Sequence, residues 1–158
     1  MKLLSNSYKK LGWILFLIFF LPSVFIWITE WEPGFLDVKV PTIFSTDVFT
    51  FKDGKLSFKA FEMAKNNLAN EICSFFFLSG MLLLIFSQEK DEDEYIMKIR
   101  LDSFLKATLI NGFIILGSIV FIYDFFFFYI MTLNLVLFFL IYIIRFEWIL
   151  WKRRREVE

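Results

Sequence analysis

The stretch ATLINGFIILGSIVFIYDFFFFYIMTLNLVLFFLIYII, from Ala107 to Ile144, decides the fold: it runs for 38 residues and carries one charge, Asp124. As a single helix at about 1.5 Å per residue it would measure about 57 Å, nearly twice the roughly 30 Å of a hydrocarbon core. It therefore folds back, and Asp124 is the one residue whose charge favours a turn at the water boundary. Splitting there predicts two antiparallel spans, residues 107–123 and 125–146.

The rest of the chain fits the same solvent. Of its 158 residues, 58% are hydrophobic and 22% aromatic, with 24 phenylalanines against 6 glycines and 3 prolines. A soluble domain of this size does not carry that load. The run LGWILFLIFFLPSVFIWIT, Leu11 to Thr29, is 19 residues long and reaches across a bilayer, giving a first span over residues 11–31. Lys2, Lys9 and Lys10 ahead of it resemble the positive region of a signal peptide. The run ends in Phe25, Ile26, Trp27 and Ile28 rather than in a small-residue cleavage site, so a retained anchor is expected. Pro22 inside it is tolerated where neighbouring helices re-satisfy the backbone. A further span is expected over residues 68–87, built on ICSFFFLSGMLLLIF, with a helix-permissive lead-in, KAFEMAKNNLANE, before it.

Residues 32–67 are aqueous in composition, acids alternating with lysines. Within them VFTFKDGKLSF, residues 48–58, predicts a β-hairpin, because Asp53-Gly54 accepts the positive φ angles of a type I′ turn. That loop sets Phe51 opposite Leu56, Thr50 opposite Ser57 and Phe49 opposite Phe58. Val38, Val40, Ile43 and Phe44 suggest another strand.

Four spans put both termini on one side of the membrane. The lysines and arginines gather at the N-terminus, between the second and third spans, and in the tail of residues 147–158, so the positive-inside rule places all three in the cytoplasm. The expected class is an all-α integral membrane protein of four transmembrane helices arranged as two hairpins, with a small extracytoplasmic β-hairpin insertion. It sits as a multi-pass protein in a bacterial cytoplasmic membrane, N-in and C-in.

The connector, residues 88–106, is then cytoplasmic. Glu94 and Lys98, and Asp102 and Lys106, are acid-before-base pairs four apart, the spacing of a helix. Met97, Leu101, Phe104, Leu105 and Thr108 form one stripe, suited to the membrane or to a partner. The acids come first, and an acidic end is repelled by an anionic inner leaflet. Glu89, Asp91, Glu92, Asp93, Glu94, Lys98 and Arg100 are therefore the candidate residues for binding a protein partner. DEDE lacks the alternating spacing of a calcium loop, so no metal site is expected.

Asp124 and Glu71 are the candidate membrane charges, the first read chiefly as a turn residue. Trp148 and Trp151 with Lys152, Arg153, Arg154 and Arg155 read as a lipid anchor, tryptophan at the headgroups and cations on anionic lipid. Asn111 and Asn134 suit hydrogen bonds across helices, and Ser79-Gly80 and Gly112 suit close helix approach. With no histidine and one cysteine, Cys73, the chain has no imidazole base and no intrachain disulfide. No phosphate loop, nucleophile elbow or nucleic-acid motif appears, so neither a catalytic residue nor a cofactor is expected.

Phe86, Ser87, Glu89, Lys90, Glu92, Asp93, Glu94, Ile99, Arg100 and Ser103 follow the order F-S, E-K, E-D-E, I-R, S. This resembles a connector pattern of small bacterial multi-span membrane proteins. The resemblance brings no known activity with it and implies only a shared cytoplasmic connector, which suits a docking role. The reading that follows is a non-enzymatic accessory, sensory or regulatory subunit whose partners are the lipid bilayer and a protein or a second copy, not nucleic acid. The alternative is an oligomeric transporter or channel component using its membrane carboxylates.

Overall fold

The computed structural model describes residues 3–42, 49–52, 55–58, 62–90 and 92–157. Four helices dominate it: α1 (Asn6–Thr29), α2 (Ala69–Phe86), α3 (Glu94–Phe121) and α4 (Phe125–Val157). All four are long and apolar enough to cross a membrane. Large apolar side chains such as Leu17, Leu21, Phe113, Leu116 and Phe126 point outward from them. An apolar surface of that extent is a lipid-facing one, as in a multi-pass membrane protein.

The chain divides into two compact units, one of Met1–Ile18 with Phe76–Glu158, the other of Phe19–Phe75. In the first, α3 and α4 form the antiparallel hairpin expected of the long apolar run. Asp124 stands at the turn with φ of 59°, exposed, and its carbonyl accepts from the Phe127 N–H at 3.1 Å. A short polar residue is among the few that adopt this left-handed conformation readily. Phe104 meets Phe138 edge-on at 5.6 Å, and Tyr142 stacks on Phe146 at 5.9 Å. Ala107, Ile143 and Phe146 are buried.

Two boundaries differ from expectation. The connector helix is not separate from the third span: α3 starts at Glu94 and runs unbroken to Phe121. No proline or glycine lies between Glu94 and Asn111, so nothing interrupts the backbone hydrogen bonds at the lipid boundary. The tail likewise continues α4 to Val157 instead of leaving it. At about 42 Å and about 50 Å, both helices exceed the hydrocarbon thickness and carry their charged ends beyond it.

Within the same unit, α1 and α2 approach closely at Gly12 and Gly80. A Cβ at Gly80 would lie 2.7 Å from the Phe16 backbone nitrogen and 3.1 Å from the Gly12 carbonyl oxygen. Phe16 stacks on Phe77 one turn away, at 5.5 Å. Gly112, expected to serve the same purpose, faces open space.

The second unit holds more strand than a single hairpin. β2 (Phe49–Lys52) pairs antiparallel with β3 (Lys55–Phe58), with Phe49 opposite Phe58, Thr50 opposite Ser57 and Phe51 opposite Leu56, the predicted register. The turn pair Asp53-Gly54 lies outside the described residues, as do Ile43 and Phe44. A separate sheet joins β1 (Asp37–Thr42) to β4 (Glu62–Asn67). The latter differs from expectation, since the sequence predicts EMAKNN as part of the helical lead-in to the second span. Asn66 and Asn67 are weak helix formers, and β1 supplies a partner whose hydrogen bonds outweigh the local preference. Asn67 ends the strand with side-chain bonds to the Pro33 carbonyl and Asp37, both 2.7 Å, while its Oδ1 accepts from the Ala69 N–H at 3.1 Å. The Asn67 amide first, and Lys65 at 3.0 Å second, hold the Asp37 carboxyl below the usual carboxylate range.

Candidate functional site

The charged residues of the first unit converge at one end of its helices, where the N-terminal segment, the connector and the end of α4 meet. The N-terminal segment is fastened by backbone bonds: the Leu4 N–H donates to the Phe86 carbonyl at 2.9 Å, and the Gln88 N–H donates to the Leu4 carbonyl at 2.8 Å. The Asn6 amide adds a bond to the Gln88 carbonyl at 2.9 Å. One turn into α1, Lys9 is 8% exposed, and its ammonium pairs with Glu89 of the connector and with Glu147 of α4, the latter at 2.6 Å. A single cation thus joins three segments that are distant in sequence. Arg154 approaches the other oxygen of Glu89 at 3.7 Å.

Arg100 forms the second knot. It is 7% exposed, donates to the Ile85 carbonyl at 2.7 Å and the Ser87 carbonyl at 3.1 Å, and pairs with Glu92 at 3.3 Å. The last turn of a helix leaves its carbonyls without partners and carries partial negative charge. Arg100 answers both at the end of α2. Its guanidinium lies 4.7 Å from the centre of the Phe146 ring, and the Tyr142 ring stacks on Phe146 at 5.9 Å. An aromatic face suits the flat, weakly hydrated guanidinium better than an ammonium.

Asp93 caps α3, accepting from the Ile96 N–H at 2.7 Å through one oxygen and from Arg153 at 2.9 Å through the other. Arg153 first, and the Ile96 N–H second, hold the Asp93 carboxyl below the usual range. Arg153 also covers the Tyr95 ring at 4.7 Å. Deeper along the hairpin, Asp102 accepts from Arg145 at 3.0 Å and pairs with Lys106 at 3.1 Å. Of the two predicted four-apart pairs, the Asp102–Lys106 pair is formed, whereas Glu94 and Lys98 stay apart with their side chains exposed.

These contacts change the reading of the connector residues. Glu89, Glu92, Asp93 and Arg100 are occupied within the chain, because oppositely charged termini lie within reach once the hairpins form. Glu94 and Lys98 have no ion-pair partner among the described residues, and Asp91 lies outside them. The buried stripe of α3 is Ile96, Ile99, Arg100, Ser103 and Ala107. The stripe predicted as a contact surface lies on its outer side, with Met97 at 38% and Leu101 and Leu105 near 60% exposure. Phe104, also exposed, meets α4 through Phe138 and Tyr142.

The anchor residues divide in the same way. Trp148 and Trp151 are exposed, and Arg155 lies over the Trp151 ring at 4.0 Å. Arg153 and Arg154 turn back to the connector, and Lys152 reaches Glu156 at 3.9 Å. Of the candidate membrane charges, Asp124 occupies the exposed turn, and Glu71 in the second unit accepts from the Asn66 amide at 2.7 Å. Asn134 is 4% exposed with both amide atoms unpaired, so the expected hydrogen bond between helices is not made there. In the sequence Lys9 stands out only as part of the positive N-terminal region and Glu147 not at all; a cation and an anion near the ends of the first and last spans were the available signal.

Chemically, the arrangement is a clamp. Its two buried cations are each committed to carboxylates or carbonyls, and what they fix is the mutual placement of three segments. Compared with known proteins, the chain matches no family model, no curated protein and no solved structure.

Proposed function

We propose that the chain is a non-enzymatic subunit of a bacterial cytoplasmic membrane, with both termini inside, and that it acts as an accessory or regulatory partner of another membrane protein. The observation that carries this reading is the outward stripe of Met97, Leu101 and Leu105 beside the open charges Glu94 and Lys98. The opposite face of the same helix is clamped by Arg100, so the stripe is presented on a rigid element. A rigid apolar stripe edged by exposed charges of both signs, neither with a partner among the described residues, suits a protein surface better than lipid alone, because charges at an interface set register and partner choice.

The contact therefore shifts from the acidic run to the outer face of α3. A photoreactive residue at Leu101, activated in membranes, is expected to give one protein adduct of defined mass. A Glu94→Lys/Lys98→Glu exchange is expected to remove that adduct. Lipid adducts only, or an adduct that survives the exchange, would overturn the reading.

A further inference from the structure

Beside the clamp lies a cleft of about 760 Å³ at the level where the apolar helices meet the charged layer. Five cations line it, Lys9, Lys10, Lys90, Arg153 and Arg154, against the three carboxylates of Glu89, Asp93 and Glu147. The carboxylates are all engaged: Glu89 and Glu147 by Lys9, Asp93 by Arg153. Lys10 and Lys90 are exposed and have no ion-pair partner among the described residues. Two positive charges are thus left over in a concave site, and a concave site concentrates the field of its surplus charge.

Besides the polar Asn6, the rest of the lining is apolar: Trp13, Ile96 and Leu150. Trp13 follows Lys9 and Lys10 by one turn of α1, and Leu150 precedes Arg153 and Arg154 by one turn of α4. Both lie on the side of the cations toward the membrane-crossing part of their helices. A ligand that fills the site has an anionic head for the lysines and an apolar body running down past Trp13. Inorganic phosphate or a soluble phosphate ester satisfies the first half alone.

We propose that this cleft binds the phosphodiester headgroup of an anionic glycerophospholipid, with Lys10 and Lys90 as the phosphate ligands and Trp13 against the upper acyl chain. This goes beyond the role of partner subunit and uses a different surface. It rests only on the clamp lying at the membrane boundary.

The test uses the full chain in mild detergent, mixed with phosphatidylglycerol or phosphatidylcholine and examined by native mass spectrometry. The unmodified protein is expected to retain phosphatidylglycerol selectively. With about 1 kcal/mol for each basic residue near a charged lipid surface, Lys10→Gln/Lys90→Gln is expected to lower that selectivity about 30-fold. Lys10→Arg/Lys90→Arg is expected to preserve it. Both lysines are exposed, so neither variant threatens folding. A second reading replaces Trp27, Trp31, Trp148 and Trp151 by Phe and follows quenching of Trp13 by phosphatidylglycerol with brominated tails. Equal retention of the two lipids, selectivity that persists in the Gln variant, or displacement of the lipid by excess inorganic phosphate each overturns the proposal.

Discussion

At the scale of residues, the chain concentrates its electrostatic stakes in Lys9 and Arg100. Burying an ion pair costs desolvation that the mutual attraction roughly repays, so the pair adds little net stability, yet removing one partner leaves the other charge buried and unanswered. Lys9→Met does this to Glu89, whose side chain is 7% exposed and whose remaining cation, Arg154, is 3.7 Å away. The expected loss is about 3–5 kcal/mol in thermal or denaturant unfolding in detergent. Lys10→Met, one residue on and exposed, is expected to change stability by no more than about 0.5 kcal/mol. Removing the partner as well, in Lys9→Met/Glu89→Gln, is expected to recover part of the loss. Equal melting of the Lys9 and Lys10 variants would show that the clamp carries no such burden. The sequence announced that opposite charges occupied this end of the molecule. It did not announce their pairing, because Lys9 and Glu89 are 80 positions apart and meet only after both hairpins have formed.

At the scale of elements, what was legible follows from the range of the forces involved. Hydropathy sums over a whole helix, so the four spans and the turn at Asp124 stood out. The register of β2 and β3 was equally plain, because Asp-Gly in the sequence predicts a two-residue loop, which sets the register locally. The pairing of β1 with β4 was not, since a polar hexapeptide such as EMAKNN decides between helix and strand only when a partner arrives. Glycines show the same limit. Gly80 and Gly112 look alike in sequence, but a Cβ at Gly80 would meet the backbone of α1 and one at Gly112 would meet nothing. Gly80→Ala forces two helices apart and is expected to cost about 1–3 kcal/mol. Gly112→Ala removes only helix-interior flexibility and is expected to gain up to about 1 kcal/mol. Unfolding of the two variants side by side in one detergent checks this, and a Gly80→Ala protein as stable as the parent would contradict the close approach.

At the scale of the whole molecule, the clamp and the crossing number imply each other. Lys9 near the start, Glu89 in the connector and Glu147 near the end share one ion-pair cluster, which requires an even number of crossings between each pair of them. Four crossings satisfy this, and any odd count between two of these points would tear the cluster apart. Accessibility from one side of the membrane tests it in a Cys73→Ser background carrying one new cysteine at a time, treated with an impermeant maleimide. Lys98→Cys and Glu156→Cys are expected to behave alike in intact cells, both protected until the membrane is opened. Phe35→Cys, in the segment that follows α1 and 81% exposed, is expected to react at once. Reaction of both Lys98→Cys and Glu156→Cys with protection of Phe35→Cys would reverse the orientation and leave the clamp intact. A difference between Lys98→Cys and Glu156→Cys is the more damaging outcome, because no insertion that separates those two points leaves Glu89 and Glu147 on the same ammonium.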